Sequence, residues 1–549
     1  MKNGIDTATA TTSEDQQRVT RSAGIVSIAV MASRLLGLVR EKVIAYYFAA
    51  GVGADAFYAA FRIPNLMRDL FGEGALSKAF VTTFTATELE EGEEAAWRLT
   101  SRVFNATFLL LTLITFVGIL AAPAIVDLIF TGKGFQEVPL DSSEHFGFNS
   151  KRDLTVYLTQ IMFPYLILVS LAAVTMGLLN SKGKFGLPAS ASSFFNVGSL
   201  VVGICGYYIA PNFDLHRTTG MAVGVLVGGA LQFLIQVPST RRVGFRYQFL
   251  LSFRDERVRQ VMRLIGPAIL GVAALQVNVL VNSIFASEGE GWLTWINRAF
   301  RLMHLPIGVF GVAISTVALP NLAKLVTEGD MEAYRRSFSY ALRLMFLLTV
   351  PASIGLIVLA EPICRLIFEG GQANPLDTQQ TAGALFYYAF GLCGFSVVKI
   401  ATDGFYTFND TRTPAVVSLC TVGLNILLNY LFIYRLGFDH RSLALSTSCT
   451  ITLNFLALLF LLRGKSGGLG LSGIWLLLIK LAVSSAVMGG VCWWGYTQIE
   501  GWLGVESIIA RLIGVFVPIG MGVVVLVAGA KLMRVRELDQ LLGAIARRL

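Results

Sequence analysis

Long apolar runs recur along almost the whole chain, and this recurrence limits the possible folds more than any other feature. Fourteen such runs, each of about 20 residues or more, are separated by polar stretches. At a rise of about 1.5 Å per residue, a helix of that length crosses a hydrocarbon core about 30 Å thick. The runs do not alternate apolar with polar residues, as the strands of a membrane barrel do. The sequence therefore predicts an all-α, polytopic membrane protein. The predicted spans cover residues 23–48, 55–74, 98–130, 153–180, 186–210, 219–238, 262–286, 294–322, 337–367, 380–407, 413–434, 442–462, 473–495 and 507–530.

The composition agrees with a membrane protein, since 54% of the 549 residues are hydrophobic and 14% are charged. The polar stretch 1–22 lacks a short apolar core with a cleavage site, so we expect a cytoplasmic tail and not a signal peptide. The net charge of +9 resides mainly in loops, which favours contact with anionic lipid headgroups over nucleic acid. Six cysteines lie scattered through apolar runs without a C-x-x-C pair, which favours packing over metal or disulfide chemistry.

The distribution of Lys and Arg predicts the orientation of the chain. With a cytoplasmic N-terminus, the inner loops and both tails hold 24 Lys and Arg, against about six in the outer loops. Cytoplasmic loops of membrane proteins carry this excess of positive charge. Because an even number of spans returns the chain to its starting side, both termini are predicted to be cytoplasmic.

An internal repeat divides the chain into two similar halves. Ala60-Phe61-Arg62 recurs 239 residues later as Ala299-Phe300-Arg301, and Leu120-Ala121-Ala122-Pro123 is matched by Leu359-Ala360-Glu361-Pro362 at the same offset. A polar insertion at 132–152 lies in the first half only. Six spans per repeat give the halves parallel topology, and two such lobes around a central pathway are the architecture of alternating access.

The repeat suggests the following domain organisation, with the last two spans outside it. The predicted regions are a cytoplasmic tail at 1–22, an N-lobe at 23–240, a basic linker at 241–261, a C-lobe at 262–465, two extra spans at 466–532 and a cytoplasmic tail at 533–549.

Several charged residues lie inside the predicted spans, where each costs about 2.5–3.5 kcal/mol on insertion scales. Arginine stays charged and forms paired hydrogen bonds with phosphate or carboxylate oxygens. Four arginines from the two lobes outnumber the nearby acids, so we expect them to bind an anion, and a diphosphate would engage several at once. These residues are Arg34, Arg40, Arg68 and Arg301.

Polar neighbours of the arginines are expected to support them. Arg62, Asn65 and Asp69 recur at three- and four-residue spacing on the second span. Asp69 and Glu73 are expected to hold arginines in place and not to bind a ligand. Glu41 shares a helix face with Arg34 and is expected to orient that arginine.

For other charged residues a structural role competes with a functional one. Lys399 and Asp403 are four residues apart, which favours a structural ion pair over a role in coupling ions or protons. Lys42, Arg62 and Arg298 are equally compatible with function and with snorkelling or structural pairing.

A resemblance to a known family becomes visible at this point. The stretches ASRLLGLVREKVIAYYFAAG, residues 32–51, and ADAFYAAFRIPNLMRDLFGEGALSKAFV, residues 54–81, closely resemble the opening of the lipid II flippase family, MurJ or MviN. This family belongs to the multidrug/oligosaccharidyl-lipid/polysaccharide exporter superfamily. Residues 266–287 and 300–324 are similar to the family's seventh and eighth spans.

The resemblance implies a V-shaped, two-lobed transporter with an arrangement like that of MATE exporters. It implies that undecaprenyl-diphosphate-linked peptidoglycan precursor, lipid II, moves from the inner to the outer leaflet of the cytoplasmic membrane for cell wall synthesis. Membrane lipids and other cell wall synthesis proteins are the further partners it suggests, and no cofactor is expected. The last two spans, within 473–530, are expected to form a groove for the polyprenyl tail.

The resemblance also assigns roles to residues. It places the four arginines named above at diphosphate contacts, and it places Asp55 and Glu73 at acidic positions of the family. Sodium coupling, proposed for parts of the family, would require acids in the seventh and eleventh spans. This chain has asparagines there, so no metal site is expected. These asparagines are Asn278, Asn282, Asn425 and Asn429.

Other classes of protein are alternatives. A flippase for another lipid-linked oligosaccharide could share the arginines, whereas a MATE-type exporter of cations would need an acidic cavity. A membrane enzyme acting on the same lipid would need a catalytic carboxylate or metal ligands, and no Asp-x-Asp, H-E-x-x-H or Ser/His/Asp grouping is present. A scaffold protein would have no reason to bury arginines. The sequence therefore favours a transporter over an enzyme.

Overall fold

The computed structural model describes residues 26, 28–70, 75–136, 148–252, 254–471 and 473–546. Within these ranges the chain is almost entirely helical, and an isolated β-bridge joins Gly370 and Ala373. Glu73 lies outside the described residues. The helices are α1 (28–48), α2 (Val52–Arg68), α3 (Ala75–Glu91), α4 (Glu93–Ile129), α5 (Lys133–Gln136), α6 (Lys151–Met162), α7 (Tyr165–Ser181), α8 (Gly186–Ile209), α9 (Thr218–Leu234), α10 (Val237–Arg242), α11 (Glu256–Phe285), α12 (Trp292–Pro306), α13 (Val312–Thr327), α14 (Met331–Val358), α15 (Ala360–Phe368), α16 (Pro375–Thr407), α17 (Arg412–Tyr430), α18 (Arg441–Lys465), α19 (Ile474–Leu503), α20 (Ile508–Leu532) and α21 (Arg536–Ala546).

The predicted fold class, an all-α polytopic membrane protein, is confirmed. Among the described residues, ten helical segments are long and apolar enough to cross a membrane, and each coincides with a predicted span. The remaining four predicted spans also fall on helical segments, but these are shorter, broken or only partly described. They are the spans predicted at 23–48, 55–74, 262–286 and 294–322.

Several predicted spans are interrupted in the structure. Pro164, which has no N–H to donate, lies between α6 and α7. A π-helical turn, Ile307–Gly311, separates α12 from α13 directly after Pro306. The span predicted at 337–367 changes direction at Leu359, between α14 and α15. Hydropathy predicts the presence of a span, but it does not detect these local breaks in the backbone hydrogen bonds.

Helix α3 was not predicted by the sequence reasoning, which left residues 75–97 outside the spans. Its apolar side chains Leu76, Phe80 and Phe84 are buried in one core with residues of α4 and α7. Hydropathy does not mark this helix as a membrane span, because interspersed Thr, Glu and Lys residues lower its mean hydropathy.

The chain forms two compact units, with different cores. The first comprises residues 1–44 and 51–276, and its core includes Phe80, Leu99 and Val174. The second comprises Ala45–Ala50 and Val277–Leu549. Its core includes Tyr334, Phe338 and Leu458. The chain therefore passes into the second unit at the end of α1, returns to the first at α2, and leaves it again within α11.

Helices α8 and α9 of the first unit approach each other closely at several glycines. A Cβ atom on Gly206 would lie 2.3 Å from the Cα atom of Gly220, and one on Gly224 would lie 2.6 Å from the carbonyl oxygen of Ser199. Small residues allow such close approach of helix backbones in membranes. The two helices therefore form a rigid pair inside the first unit.

We expect Gly206→Ala to lower the thermal unfolding midpoint of the purified protein, because the added methyl group would collide with backbone and not with a movable side chain. Gly490→Ala is a matched control, since nothing lies within 4 Å of a Cβ atom at that exposed helical position. A midpoint equally unchanged in both variants would contradict the close packing of α8 and α9.

The hairpin of α19 and α20 is tied to the second unit at both ends. At one end Arg365 of α15 pairs with Glu500, with 3.0 Å between Nη1 and Oε1, and Arg511 of α20 pairs at the same distance with Glu369. At the other end Arg343 of α14 lies 2.9 Å from Glu537 of α21. The hairpin is therefore a fixed part of the second unit.

Candidate anion-binding site

Arg40 lies on α1 in the first unit and is almost completely buried, with 6% of its surface exposed. Its Nη2 atom is 3.5 Å from Oε1 of Glu41, and the hydroxyl of Tyr58 donates a 2.5 Å hydrogen bond to Oε2 of the same carboxylate. Glu41 therefore fixes Arg40 and is itself fixed by α2. The prediction that Glu41 orients Arg34 was wrong, because the adjacent arginine and the tyrosine use its carboxylate.

Arg68 lies at the last turn of α2 and is held by its neighbour. Its Nε and Nη2 atoms donate to one oxygen of Asp69 at 3.0 and 2.7 Å. Gln276 of α11 donates to the other oxygen of Asp69 at 2.9 Å. The prediction that Asp69 holds an arginine in place is confirmed, and about a fifth of the Arg68 side chain stays exposed.

An aromatic cluster joins these two arginines within the first unit. The guanidinium carbon of Arg40 lies 5.4 Å from the ring centre of Phe195 and 6.0 Å from that of Phe61. The ring of Tyr165 packs on both, with centres 5.4 and 6.1 Å apart, and its hydroxyl lies 3.5 Å from Nη1 of Arg68. Arginine stacks well on aromatic faces, so the cluster fixes the positions of both cationic groups.

Two glycines of α9 make room for the cluster. A Cβ atom on Gly229 would lie 2.7 Å from the Tyr165 ring, and one on Gly228 would lie 2.6 Å from the carbonyl oxygen of Phe195. The sequence reasoning missed Tyr165 and Phe195, because aromatic residues in apolar spans look like ordinary core residues. In the sequence, the adjacent glycines Gly228 and Gly229 are the one sign that bulky side chains pack against this part of α9.

Other predicted residues of the first unit occupy separate positions. Arg34 is half-buried on α1, six residues before Arg40, and its side chain makes no ion pair or hydrogen bond with the part of the chain that the structure describes. Arg62 and Asn65 are half-buried on α2. The carbonyl oxygen of Asn65 accepts the backbone N–H of Asp69, which places both residues on one turn.

Asp55 lies apart from this cluster, in a fully buried ion pair. Its Oδ2 atom is 2.7 Å from Nζ of Lys151, and neither side chain is more than 1% exposed. Lys151 also donates to the carbonyl oxygen of Gly134 at 3.0 Å and lies 4.8 Å from the ring centre of Phe135. Asp55 therefore fastens α2 to both ends of the polar insertion, and the sequence does not identify its partner.

In the second unit, Arg301 is half-buried on α12. His304, one turn later, has its Nδ1 atom 2.9 Å from the carbonyl oxygen of Phe300, and its ring centre lies 4.0 Å from that of Phe300. The ring of Phe395 on α16 packs against both. The Arg301 turn of α12 is thus backed by aromatic rings, as the arginines of the first unit are.

The predicted ion pair between Lys399 and Asp403 is absent from the described residues. Asp403 instead accepts a hydrogen bond from the hydroxyl of Ser315 on α13, and Lys399 makes no ion pair there. A spacing of four residues on a helix permits a pair but does not enforce it, and Ser315, which is close in space but remote in sequence, competes for the carboxylate.

The asparagines of the second unit hydrogen-bond to one another. Asn429 donates to Asn282 at 3.0 Å and to Asn425 at 3.1 Å, and Asn282 donates to Thr447 at 2.9 Å. The cluster contains no carboxylate, and no group of three His, Cys, Asp or Glu residues within the described ranges could hold a metal ion. The residues present therefore do not fit a sodium site built on acids.

Two charged residues of the second unit clasp the end of α1, and the sequence reasoning assigned this role to neither. Arg298, with no exposed surface, donates to the carbonyl oxygen of Ala49, and Asp377 accepts the N–H of Ala50 at 3.2 Å. Trp295 donates from Nε1 to the other Asp377 oxygen at 2.9 Å. Arg298 is a cation next to the C-terminal end of α1, and Asp377 is an anion that accepts an amide before the N-terminal end of α2. Both charges are favourable there because of the helix dipoles.

The arrangement offers fixed cationic groups inside a helical membrane protein. Guanidinium groups held by carboxylates and rings keep their geometry without a bound ligand, so they can meet an anion with little loss of side-chain entropy. A buried ion pair such as Arg40 and Glu41 also lowers the free-energy cost of burying the guanidinium charge while no anionic ligand is bound. These features define a helical membrane protein that holds guanidinium groups in fixed positions within its helices.

The fold of this chain is similar to the folds of two proteins of known structure. The chain superimposes on "Lipid II flippase MurJ, inward closed conformation" with a TM-score of 0.73 at 24% identity, covering 92% of this chain and 98% of that one. It also matches an inward-facing MATE family multidrug resistance transporter of the MOP superfamily, with a TM-score of 0.65 at 13% identity, covering 81% of this chain and 98% of that one. The fold is thus that of the MurJ and MATE transporters.

Sequence comparison identifies the family. Residues 44–514 match the family model "Lipid II flippase MurJ". The chain is 33% identical over 533 residues to the probable lipid II flippase MurJ of Vibrio cholerae serotype O1, which covers 95% of this chain and 98% of that protein. It is 33% identical over 490 residues to the lipid II flippase MurJ of Burkholderia cenocepacia, covering 88% and 91%. The chain belongs to the MurJ family of lipid II flippases.

Proposed function

We propose that this protein moves lipid II from the inner to the outer leaflet of the cytoplasmic membrane by alternating access, and thereby supplies peptidoglycan synthesis. Membership of the MurJ family supports the transport activity and the substrate. The observation that carries the proposal is the pair formed by Arg40 and Arg68 on one aromatic cluster inside a membrane-spanning unit.

The diphosphate is the part of lipid II that these arginines would bind. Arg68, which is partly exposed and held by Asp69, makes the first contact, because its guanidinium already points along a fixed direction. Arg40 is buried against Phe61 and Phe195, and it reaches the substrate only when the surrounding helices open. Arg34 extends the cationic face of α1, and Arg301 on α12 is the fourth arginine that we assign to the diphosphate.

Transport by this route makes and breaks no covalent bond in the substrate. The protein has to compensate the charge of the diphosphate while it passes a medium in which an isolated charge is costly. Partial neutralisation by Glu41 and Asp69 keeps the arginines from binding too tightly, so that the diphosphate can leave on the other side. In this orientation both termini are cytoplasmic, and the α19–α20 hairpin faces the polyprenyl tail.

The experiment that tests this proposal is single replacement of Arg34, Arg40, Arg68 and Arg301 by alanine. Each variant is scored by rescue of cells depleted of their own flippase and by exposure of lipid II on the outer leaflet. We expect loss of rescue with normal membrane levels, and Lys should substitute poorly where two hydrogen bonds are formed.

A control variant is Arg412→Ala, at an exposed N-terminal position of α17, which should rescue fully. Full flipping by all four arginine variants would disprove the proposed site. Full flipping of a different lipid-linked oligosaccharide, without rescue of wall synthesis, would instead assign another substrate to the same site.

A further inference from the structure

An open cavity of about 450 Å³ lies at the end of the first unit where α7, α8 and α10 meet. This end is the one that the Lys and Arg distribution predicts to be cytoplasmic. Pockets of about 300–1,000 Å³ are large enough for small ligands and headgroups. The lining residues are Leu179, Gly183, Lys184, Phe185, Gly186, Leu187, Ser239, Arg242 and Val243.

The polar side of the cavity is cationic. The side chains of Lys184 and Arg242 are exposed, and neither forms an ion pair or a hydrogen bond with any residue in the described ranges. The hydroxyl-bearing Ser239 also lines the cavity. Helix α8, 24 residues long, begins at Gly186 without a side-chain cap, and its first two residues line the cavity, so the positive end of the helix dipole also favours an anion there.

A neighbouring lysine on the same surface has its charge balanced by acidic residues of the protein. Lys182, two residues before Lys184, hydrogen-bonds to Glu88 and to Glu93, the latter at 2.7 Å. Burial alone would lower the pKa of Lys182, but the two carboxylates raise it above its usual value. Lys182 is therefore neutralised within the protein, whereas the two cations of the cavity are not.

The other side of the cavity is apolar. Leu179, Leu187, Phe185 and Val243 line it, and Phe185 is 40% exposed. A cationic rim above an apolar wall, located where helices leave the membrane, matches the phosphate and the first acyl carbons of a phospholipid. Basic pockets between membrane helices on the cytoplasmic side bind anionic headgroups.

We propose that this cavity is a binding site for an anionic glycerophospholipid of the inner leaflet, with Lys184 and Arg242 contacting the phosphodiester and Phe185 contacting an acyl chain. The site is separate from the arginines that bind the transported diphosphate. It would anchor the α7–α8 turn and α10 to the membrane surface while the transport cycle proceeds.

The test compares lipid binding by the full-length protein in nanodiscs of phosphatidylcholine with increasing phosphatidylglycerol. Native mass spectrometry counts retained lipid, and the thermal unfolding midpoint reports stabilisation by bound lipid. At about 1 kcal/mol per basic residue near the surface, Lys184→Gln/Arg242→Gln should weaken phosphatidylglycerol binding by at least about tenfold. A second variant, Ser239→Phe, should lower binding by filling the cavity without a change of charge.

The control is Arg241→Gln/Arg246→Gln, which removes the same charge from two exposed residues that do not line the cavity. Binding within about twofold of the wild type in this control, together with loss in the cavity variants, supports the site. Equal loss in both double variants would show a diffuse surface effect and overturn it. Equal stabilisation by inorganic phosphate in phosphatidylcholine discs would also overturn it, because the site would then bind a soluble anion.

Discussion

Lys151→Met will lower the free energy of unfolding by about 3–5 kcal/mol, because it leaves the Asp55 carboxylate buried without a counter-charge. Lys151 and Asp55 are 2.7 Å apart and almost wholly inaccessible to solvent. The loss also removes the contacts of the ammonium group with Gly134 and the Phe135 ring. The thermal unfolding midpoint of the detergent-solubilised protein and its level in the membrane measure the effect.

The double variant Lys151→Met/Asp55→Leu should recover most of this loss, since removing both buried charges is often neutral or stabilising. Arg152→Met is the neighbouring control. Its partner Asp127 is 45% exposed, and an exposed pair contributes at most about 1 kcal/mol. If Lys151→Met were no more harmful than Arg152→Met, the buried pair would not stabilise the fold as described.

Asp377→Ala will destabilise the second unit and loosen the end of α1. Asp377 is 7% exposed and accepts hydrogen bonds from Ala50 and Trp295. Ala50 is buried, so its N–H left without an acceptor costs about 1–3 kcal/mol, and the loss of the bond from the half-buried Trp295 adds to this cost. Hydrogen exchange at Ala45–Ala50 should become faster, and the unfolding midpoint should fall.

Asp439→Ala provides the control for this prediction, because Asp439 is a carboxylate of the same unit whose side chain is half exposed. It should leave exchange at Ala45–Ala50 unchanged. Unchanged exchange in Asp377→Ala as well would show that this carboxylate does not hold the end of α1.

The sequence predicts the positions of helices and charged residues better than it predicts which residues those charged side chains contact. Long apolar runs and arginines inside them are local features, so the spans and the arginine positions followed from residue order alone. The partner of a charge depends on packing between elements. Glu41 was assigned to Arg34 by helix periodicity, yet it contacts Arg40 and Tyr58.

The same limit explains the other differences between sequence and structure. Lys399 and Asp403 have ideal spacing on α16, but Ser315 of α13 takes the carboxylate. Lys151 looked like an ordinary loop residue at the edge of the insertion, and only the fold brings it to Asp55. Arg298 remained undecided from sequence, because its acceptor is a backbone carbonyl, which no sequence pattern marks.

The clasp at Ala45–Ala50 affects how the protein could be divided. A cut between the two compact units, near residue 276, would leave this six-residue segment on the N-terminal fragment although it packs within the second unit. Co-expressed fragments would therefore carry a built-in docking peptide, with Arg298 and Asp377 as its receptor. Reassembly of a split protein would depend on this peptide. A synthetic peptide of the same sequence would compete with residues 45–50 of the protein for Arg298 and Asp377.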